Sequence, residues 1–333
     1  MSFIILVSLI VFICYYLSCL EYSSFSQKYF FISLFLFTSC FLRFYIPEEI
    51  NKDYYGYLNK SYSNPEGFLT FLISEPYLYL VFKLFNLFEN DRIVIFSFIY
   101  WFNFLLVTLF FVWLSMKKDV KLWKKIIIFV FYYFLFGYVV LRNSPVYILF
   151  ALFCYSSYKN QKFNAFLLTP LMHLSALPVT LIVFFKKKYY LKYLFFLSLL
   201  LIPVFVIYIM PLIENLIELQ SIVDKANVYS KGADNMYNII HTVYFIFISL
   251  LVFKTLFFDR VFHPIIFTTI GLYYLFFIMN PVLGFRYSPY LFISILLFSN
   301  EKITISKFDY YLNRLSLFTM PYFIYTLYDT HFL

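Results

Sequence analysis

Apolar runs long enough to cross a bilayer follow one another along nearly the whole chain, separated by short polar breaks. A helix needs roughly 17–25 such residues to cross the hydrocarbon. No water satisfies backbone groups there, so only helices or closed barrels can span it. The runs are continuous rather than alternating, which selects helices. With 63% of residues hydrophobic, the chain has too little polar surface to coat a soluble core. The predicted fold class is all-α: a polytopic transmembrane helix bundle forming a single membrane domain over residues 1–333. About 10–12 membrane segments are expected, some of them broken or re-entrant.

The net charge of +9 is concentrated in particular loops. Lys117, Lys118, Lys121, Lys124 and Lys125 form one cluster; Lys186, Lys187, Lys188 and Lys192 form another. Such clusters mark the cytoplasmic side of a membrane protein and carry no nucleic-acid signal. Counting outward from them places spans at about 2–20, 29–46 and 93–115, with external loops at about 47–92 and 212–237. Residues 2–20 read as a first span rather than a removed signal peptide, because no Lys or Arg precedes Ile4 and no small-residue cleavage pattern follows. The four cysteines, Cys14, Cys19, Cys40 and Cys154, all lie in apolar runs without metal spacing.

Two places break the helical pattern at membrane depth. Residues 126–158 are interrupted at Leu141-Arg142-Asn143-Ser144-Pro145 and read as two short crossings. The run 163–185 lies between basic residues at both ends, so it predicts two half-helices meeting near His173 and Pro178. Broken helices survive in a membrane only where they line an enclosed or watery cavity, so these breaks point to a site.

Arg142-Asn143-Ser144-Pro145 is echoed by Arg286-Tyr287-Ser288-Pro289. Serine followed by proline suits a helix start, with Ser144 and Ser288 as caps. An arginine beside a helix N-terminus makes an anion site suited to phosphate. Ionisable residues at membrane depth are functional candidates by default, which singles out Arg142, Arg286 and His173. A neutral imidazole at His173 could accept a proton from a hydroxyl. In the first external loop Asp53 and Tyr57 could grip and stack on a sugar, and Glu75, opening an apolar re-entrant stretch, could serve as a base. No glycine-rich phosphate loop, Asp-x-Asp pair or His/Cys cluster occurs, so no metal and no nucleotide-bound donor is expected.

The order of these landmarks resembles the EpsG-type branch of the Wzy polysaccharide and O-antigen polymerases. The resemblance rests on Asp53-Tyr54-Tyr55-Gly56-Tyr57, Glu75-Pro76, Arg142, the His173-Leu174-Ser175-Ala176-Leu177 element and Arg286-Tyr287, and covers about residues 50–290. It implies a GT-C-like, cofactor-free glycosyltransferase in the bacterial inner membrane, multi-pass, with its site facing the periplasm. Its partners would be an undecaprenyl-diphosphate-linked oligosaccharide, membrane lipid and a chain-length regulator. His173, Glu75, Arg142 and Arg286 would be catalytic, with Asp53, Tyr57, Ser144, Tyr287 and Ser288 binding substrate. The alternatives are a flippase or transporter of the lipid-linked oligosaccharide, expected to show matching inverted halves, and an O-antigen ligase.

Overall fold

The computed structural model describes residues 2–51, 54–59, 76–173, 176–184, 239–258, 263–279, 281–297 and 307–329. Every regular element among them is helical. In chain order they begin with α1 (Ser2–Cys19), α2 (Phe25–Tyr45), α3 (Tyr54–Asn59), α4 (Pro76–Phe85) and α5 (Arg92–Met116). Then come α6 (Leu122–Phe134), continued by a π-helical turn at Leu135–Val139, and α7 (Ser144–Tyr158). Two short pieces, α8 (Thr169–Met172) and α9 (Leu177–Phe184), are followed by α10 (Ile239–Phe253), α11 (Pro264–Met279) and α12 (Pro281–Leu297). The described chain ends with α13 (Lys307–Leu315) and α14 (Met320–Asp329). The external loop expected at about 212–237 and the second lysine cluster lie outside the described residues.

Among the described residues, three helical stretches are long and apolar enough to cross a membrane: Phe25–Tyr45, Arg92–Met116 and Leu122–Val139. Shorter apolar helices accompany them. Large hydrophobic side chains point outward at helical spacing, as with Phe3, Leu6, Ile10 and Ile13 on α1 and Phe98, Phe102, Leu105 and Leu109 on α5. Exposed stripes of this kind need an apolar surrounding, whereas water would drive them together. The chain is a membrane-embedded helical protein.

Where sequence reasoning expects a single domain, the chain divides into two compact units. The first comprises Met1–Leu149, Leu171–His173 and Lys302–Leu333; the second comprises Phe150–Pro170 and Leu174–Glu301. In lipid, helices gain little from hydrophobic transfer and associate through close packing and buried hydrogen bonds.

In the first unit that packing is aromatic. Helices α1 and α2 run antiparallel, with Phe3 against Tyr45 and Tyr15 against Phe35. Tyr15 stacks on Phe129 of α6 at 4.0 Å between ring centres. Phe129 in turn stacks on Tyr133 and on Phe323 of α14. Each well-placed ring pair contributes about 0.5–1.5 kcal/mol beyond its buried area. The start of α5 is set by Asp91, whose carboxylate accepts from the Ile93 N–H at 2.9 Å, an N-cap that satisfies one unpaired donor.

In the second unit α11 and α12 form an antiparallel pair. Its register is given by Phe276 stacked on Tyr287 at 4.2 Å and by Thr269 hydrogen-bonded to Ser294 at 2.8 Å. Gly284 permits the close approach: a Cβ there would lie 2.7 Å from the Phe277 Cα. Across the break between α8 and α9, the Thr169 and Thr180 hydroxyls meet at 3.0 Å, and Phe153 stacks on Phe166 at 4.6 Å. The expected interruption of the 163–185 run is therefore present.

Replacing Gly284 with leucine forces α12 off the Phe277 backbone. The expected loss is about 1–3 kcal/mol, the range for overpacking, read as a lower melting temperature in detergent. An unchanged melting temperature would show that the two helices do not approach this closely.

Candidate functional site

The break at residues 135–144 is built differently from the serine-capped helix start that the sequence suggests. The α6 helix widens into a π turn, in which the Val140 N–H reaches back five residues to the Leu135 carbonyl at 2.8 Å. Widening releases carbonyls from the helical ladder, and side chains collect them. The Phe136 carbonyl accepts from Asn103 Nδ2 at 2.9 Å and from Ser144 Oγ at 2.6 Å. The Tyr138 and Val139 carbonyls accept from Asn51 Nδ2 at 3.3 and 3.0 Å, and Asn51 also bonds the Tyr100 hydroxyl at 3.0 Å. π turns recur at functional sites.

Ser144 does not cap α7. Its hydroxyl turns back to the carbonyls of Phe136 and Val140, and its N–H also bonds Val140. The first helical carbonyl to accept is that of Asn143, from the Tyr147 N–H. Pro145 has no N–H to offer. The guanidinium of Arg142, more than backbone donors at the helix start, is thus the group equipped to meet an anion here.

Arg142 is half-buried, and its guanidinium lies over the Tyr57 ring at 5.0 Å. Two predicted site residues, far apart in the chain, are thereby brought together. Tyr57 also links to a third residue: its carbonyl accepts from Arg92 Nη2 at 3.4 Å. Arg92 sits above the Phe82 and Phe96 rings at 5.8 and 5.9 Å. Tyr54, Tyr57, Leu78, Ile95, Ile99 and Tyr100 form one buried cluster, which seats α3 and α4 on the start of α5. Burial, with Glu49, Glu48, Tyr55 and Asp91 adding to it, pushes the Tyr54 phenol above its ordinary range and keeps it a proton donor.

A third arginine stands at the same end. Arg43 Nη1 donates to the Ile46 carbonyl at 2.8 Å, and Nη2 pairs with Glu48 Oε1 at 2.7 Å. Ser97 donates to the same carboxylate oxygen at 3.2 Å. The guanidinium lies 5.5–5.8 Å from the rings of Tyr100, Trp101 and Tyr138. Its charge is met inside the protein. The Asn143 Oδ1 is buried without a hydrogen-bond partner, an acceptor beside Arg142 in sequence.

The second echo also differs from expectation. Ser288 and Pro289 lie inside α12, which begins at Pro281. Arg286-Tyr287-Ser288-Pro289 is therefore a mid-helix segment and not a capped start. Within the second unit Arg286 is half-buried, Ser288 is buried, and the Tyr287 ring stacks on Phe276 and lies tilted against Tyr290. His173 is half-buried at the end of α8, where the helix breaks. Asp53 and Glu75 lie outside the described residues. No group of three metal-ligating side chains occurs among the described residues.

Sequence reasoning passed over Arg43, Asn51, Arg92 and Asn103. Arg43 interrupts an apolar run and carried the signal of an ionisable residue at membrane depth. Asn51 and Arg92 sit in polar loops, where nothing in the sequence separates them from solvated neighbours. No protein-family model, no curated protein and no solved structure matches this chain.

Glu48→Gln leaves the Arg43 charge enclosed without its partner. Breaking a buried pair costs about 3–5 kcal/mol, and Glu48, with 21% of its side chain exposed, places the expected loss at the lower end. The double variant Arg43→Met/Glu48→Gln should recover part of that loss in detergent melting. Equal destabilisation in both would mean that the pair is not coupled.

Proposed function

We propose that the chain is a polysaccharide polymerase of the inner membrane, transferring a glycan from undecaprenyl diphosphate to a lipid-linked repeat unit. The observation that carries this reading is Tyr57 held between Arg142, over its ring, and Arg92, on its carbonyl. Guanidinium groups suit the oxygens of a diphosphate, and an aromatic ring beside them offers a flat apolar face to a sugar. Enclosure by the Tyr54, Tyr100 and Leu78 cluster lowers the local dielectric and strengthens such charges.

In this reaction an acceptor hydroxyl oxygen attacks the anomeric carbon of the donor glycan, and the bond to the diphosphate oxygen breaks. Undecaprenyl diphosphate leaves, and the hydroxyl proton passes to a base. Arg142, with Arg92 on the same tyrosine, would neutralise the leaving diphosphate, and the resemblance gives Arg286 a catalytic role as well. Preorganised charge at a leaving group is commonly the largest single contribution to such a rate. His173, at the helix break, or Glu75 would take the proton. The order of landmarks from Asp53 to Tyr287 supports the same assignment, together with a GT-C-like fold and a periplasmic site.

Arg142→Ala and Arg286→Ala are each expected to abolish long-chain polymer while the protein still inserts, and Arg92→Ala to lower its amount. Normal chain-length ladders on a gel in both of the first two variants would refute the assignment. Deleting the gene separates polymerase from flippase. Single repeat units on lipid A belong to a lost polymerase; a lipid-linked intermediate trapped inside the cell belongs to a lost flippase.

A further inference from the structure

The opposite end of the first unit holds a cavity of about 540 Å³ among the ends of α1, α2, α5, α6 and α13. Four lysines line it: Lys28, Lys118, Lys121 and Lys125, against Glu21 and Asp309. The 25 residues of α5 connect the two ends, a separation of about 37 Å at ~1.5 Å per residue. The cavity is therefore remote from Arg142.

The lysines are not equivalent. Lys28 Nζ is committed to protein: it donates to the carbonyls of Ser18, Leu20 and Ser115, closing the ends of α1 and α5. Lys121 pairs with Asp309 Oδ2 at 2.6 Å, while Trp123 Nε1 holds the other oxygen at 3.1 Å. Asp309 is thus already paired. Lys125 is only 4% exposed and, among the described residues, makes one hydrogen bond, to the Ser115 carbonyl at 3.0 Å. An ammonium group carries three donors, so two remain for the cavity. Lys118 stands exposed on the rim. A buried ammonium with spare donors, a second ammonium at the mouth and Asp309 already paired with Lys121 leave Glu21 as the one other carboxylate on the lining, against two lysines; that balance describes a receptor for an anion rather than a mere helix cap.

We propose that this cavity binds a phosphate group, held by Lys125 from within and Lys118 from the rim. The chemistry is shared by an anionic phospholipid headgroup and a free diphosphate. A basic pocket between membrane helices is the recurring form of a headgroup site, and the cavity opens beside helices that present apolar faces outward. The proposal is independent of the polymerase reading, because no residue is common to the two sites.

The test uses the full chain in nanodiscs of neutral phosphatidylcholine. Phosphatidylglycerol is titrated in one arm and inorganic pyrophosphate in the other, with binding followed by native mass spectrometry. Wild-type protein should bind at least one probe saturably. Lys118→Gln/Lys125→Gln should weaken that binding about tenfold or more, whereas Lys117→Gln, outside the cavity lining, should change it less than about twofold. Should the double variant fail to insert, Lys118→Gln alone should still weaken binding about threefold. Lysine-dependent binding in the lipid arm only identifies a headgroup site, and in the pyrophosphate arm only a soluble phosphate ligand. Absence of binding in both arms overturns the proposal, as does an equal loss on Lys117→Gln.

Discussion

A backbone carbonyl released from its helix at membrane depth has no water to turn to, and the segment between Leu135 and Ser144 releases several at once. The cost of leaving even one unpaired in hydrocarbon is several kcal/mol. Asn103 and Ser144 meet the Phe136 carbonyl, and Asn51 meets those of Tyr138 and Val139. This requirement shapes the rest of the unit. Asn51 belongs to the connection after α2, so satisfying the π turn also ties that connection onto the bundle. Through it α3, and with it Tyr57, is held within reach of Arg142.

The polar groups of the first unit then fall at two ends. One end holds Arg43, Arg92 and Arg142 with their aromatic neighbours; the other holds the lysines around the cavity. Between them several buried polar side chains are small and locally bonded. Thr38 donates to carbonyls of its own helix, as do Thr108 and Ser115. Such back-bonding satisfies a hydroxyl without a partner helix and leaves helix association to the stacked rings of Tyr15, Phe129, Tyr133 and Phe323. Lys28 and Lys125 serve the same accounting at the lysine end, where they close carbonyls that α1 and α5 leave open.

Two of the spans were legible in the sequence to within a few residues: about 29–46 became Phe25–Tyr45, and about 93–115 became Arg92–Met116. Hydropathy is averaged over many residues and has one dominant cause, so it reads well. The break at Arg142 was legible for the same reason, since the polar residues Arg142-Asn143-Ser144, followed by Pro145, interrupt an apolar run. Its internal geometry was not. Ser-Pro looks like a cap when only neighbours along the chain are considered, yet Ser144 finds better acceptors in the carbonyls that the π turn releases. Pro289 removes one ladder bond, and a membrane helix packed among others tolerates that, so α12 runs through the second echo. Asn51 was invisible because its role depends on carbonyls 87 and 88 residues away.

Charge balance decides which arginine of the cluster is fitted to act. An ion pair at about 4 Å is worth roughly 4 kcal/mol at an effective dielectric near 20, and Arg43 already has that interaction with Glu48. Its guanidinium is also nearly closed off, with a side chain 2% exposed. A diphosphate arriving there would meet a neutral pair and would have to displace a carboxylate. Arg142 and Arg92 are each half-buried and share Tyr57. Half-burial keeps an open approach while limiting the screening that makes surface charges weak. The Arg43–Glu48 pair has a different use: it draws the chain after α2 inward, and that places Asn51 under the π turn. The fixed ion pair holds the frame, and the two arginines on Tyr57 stand beside it with an open approach.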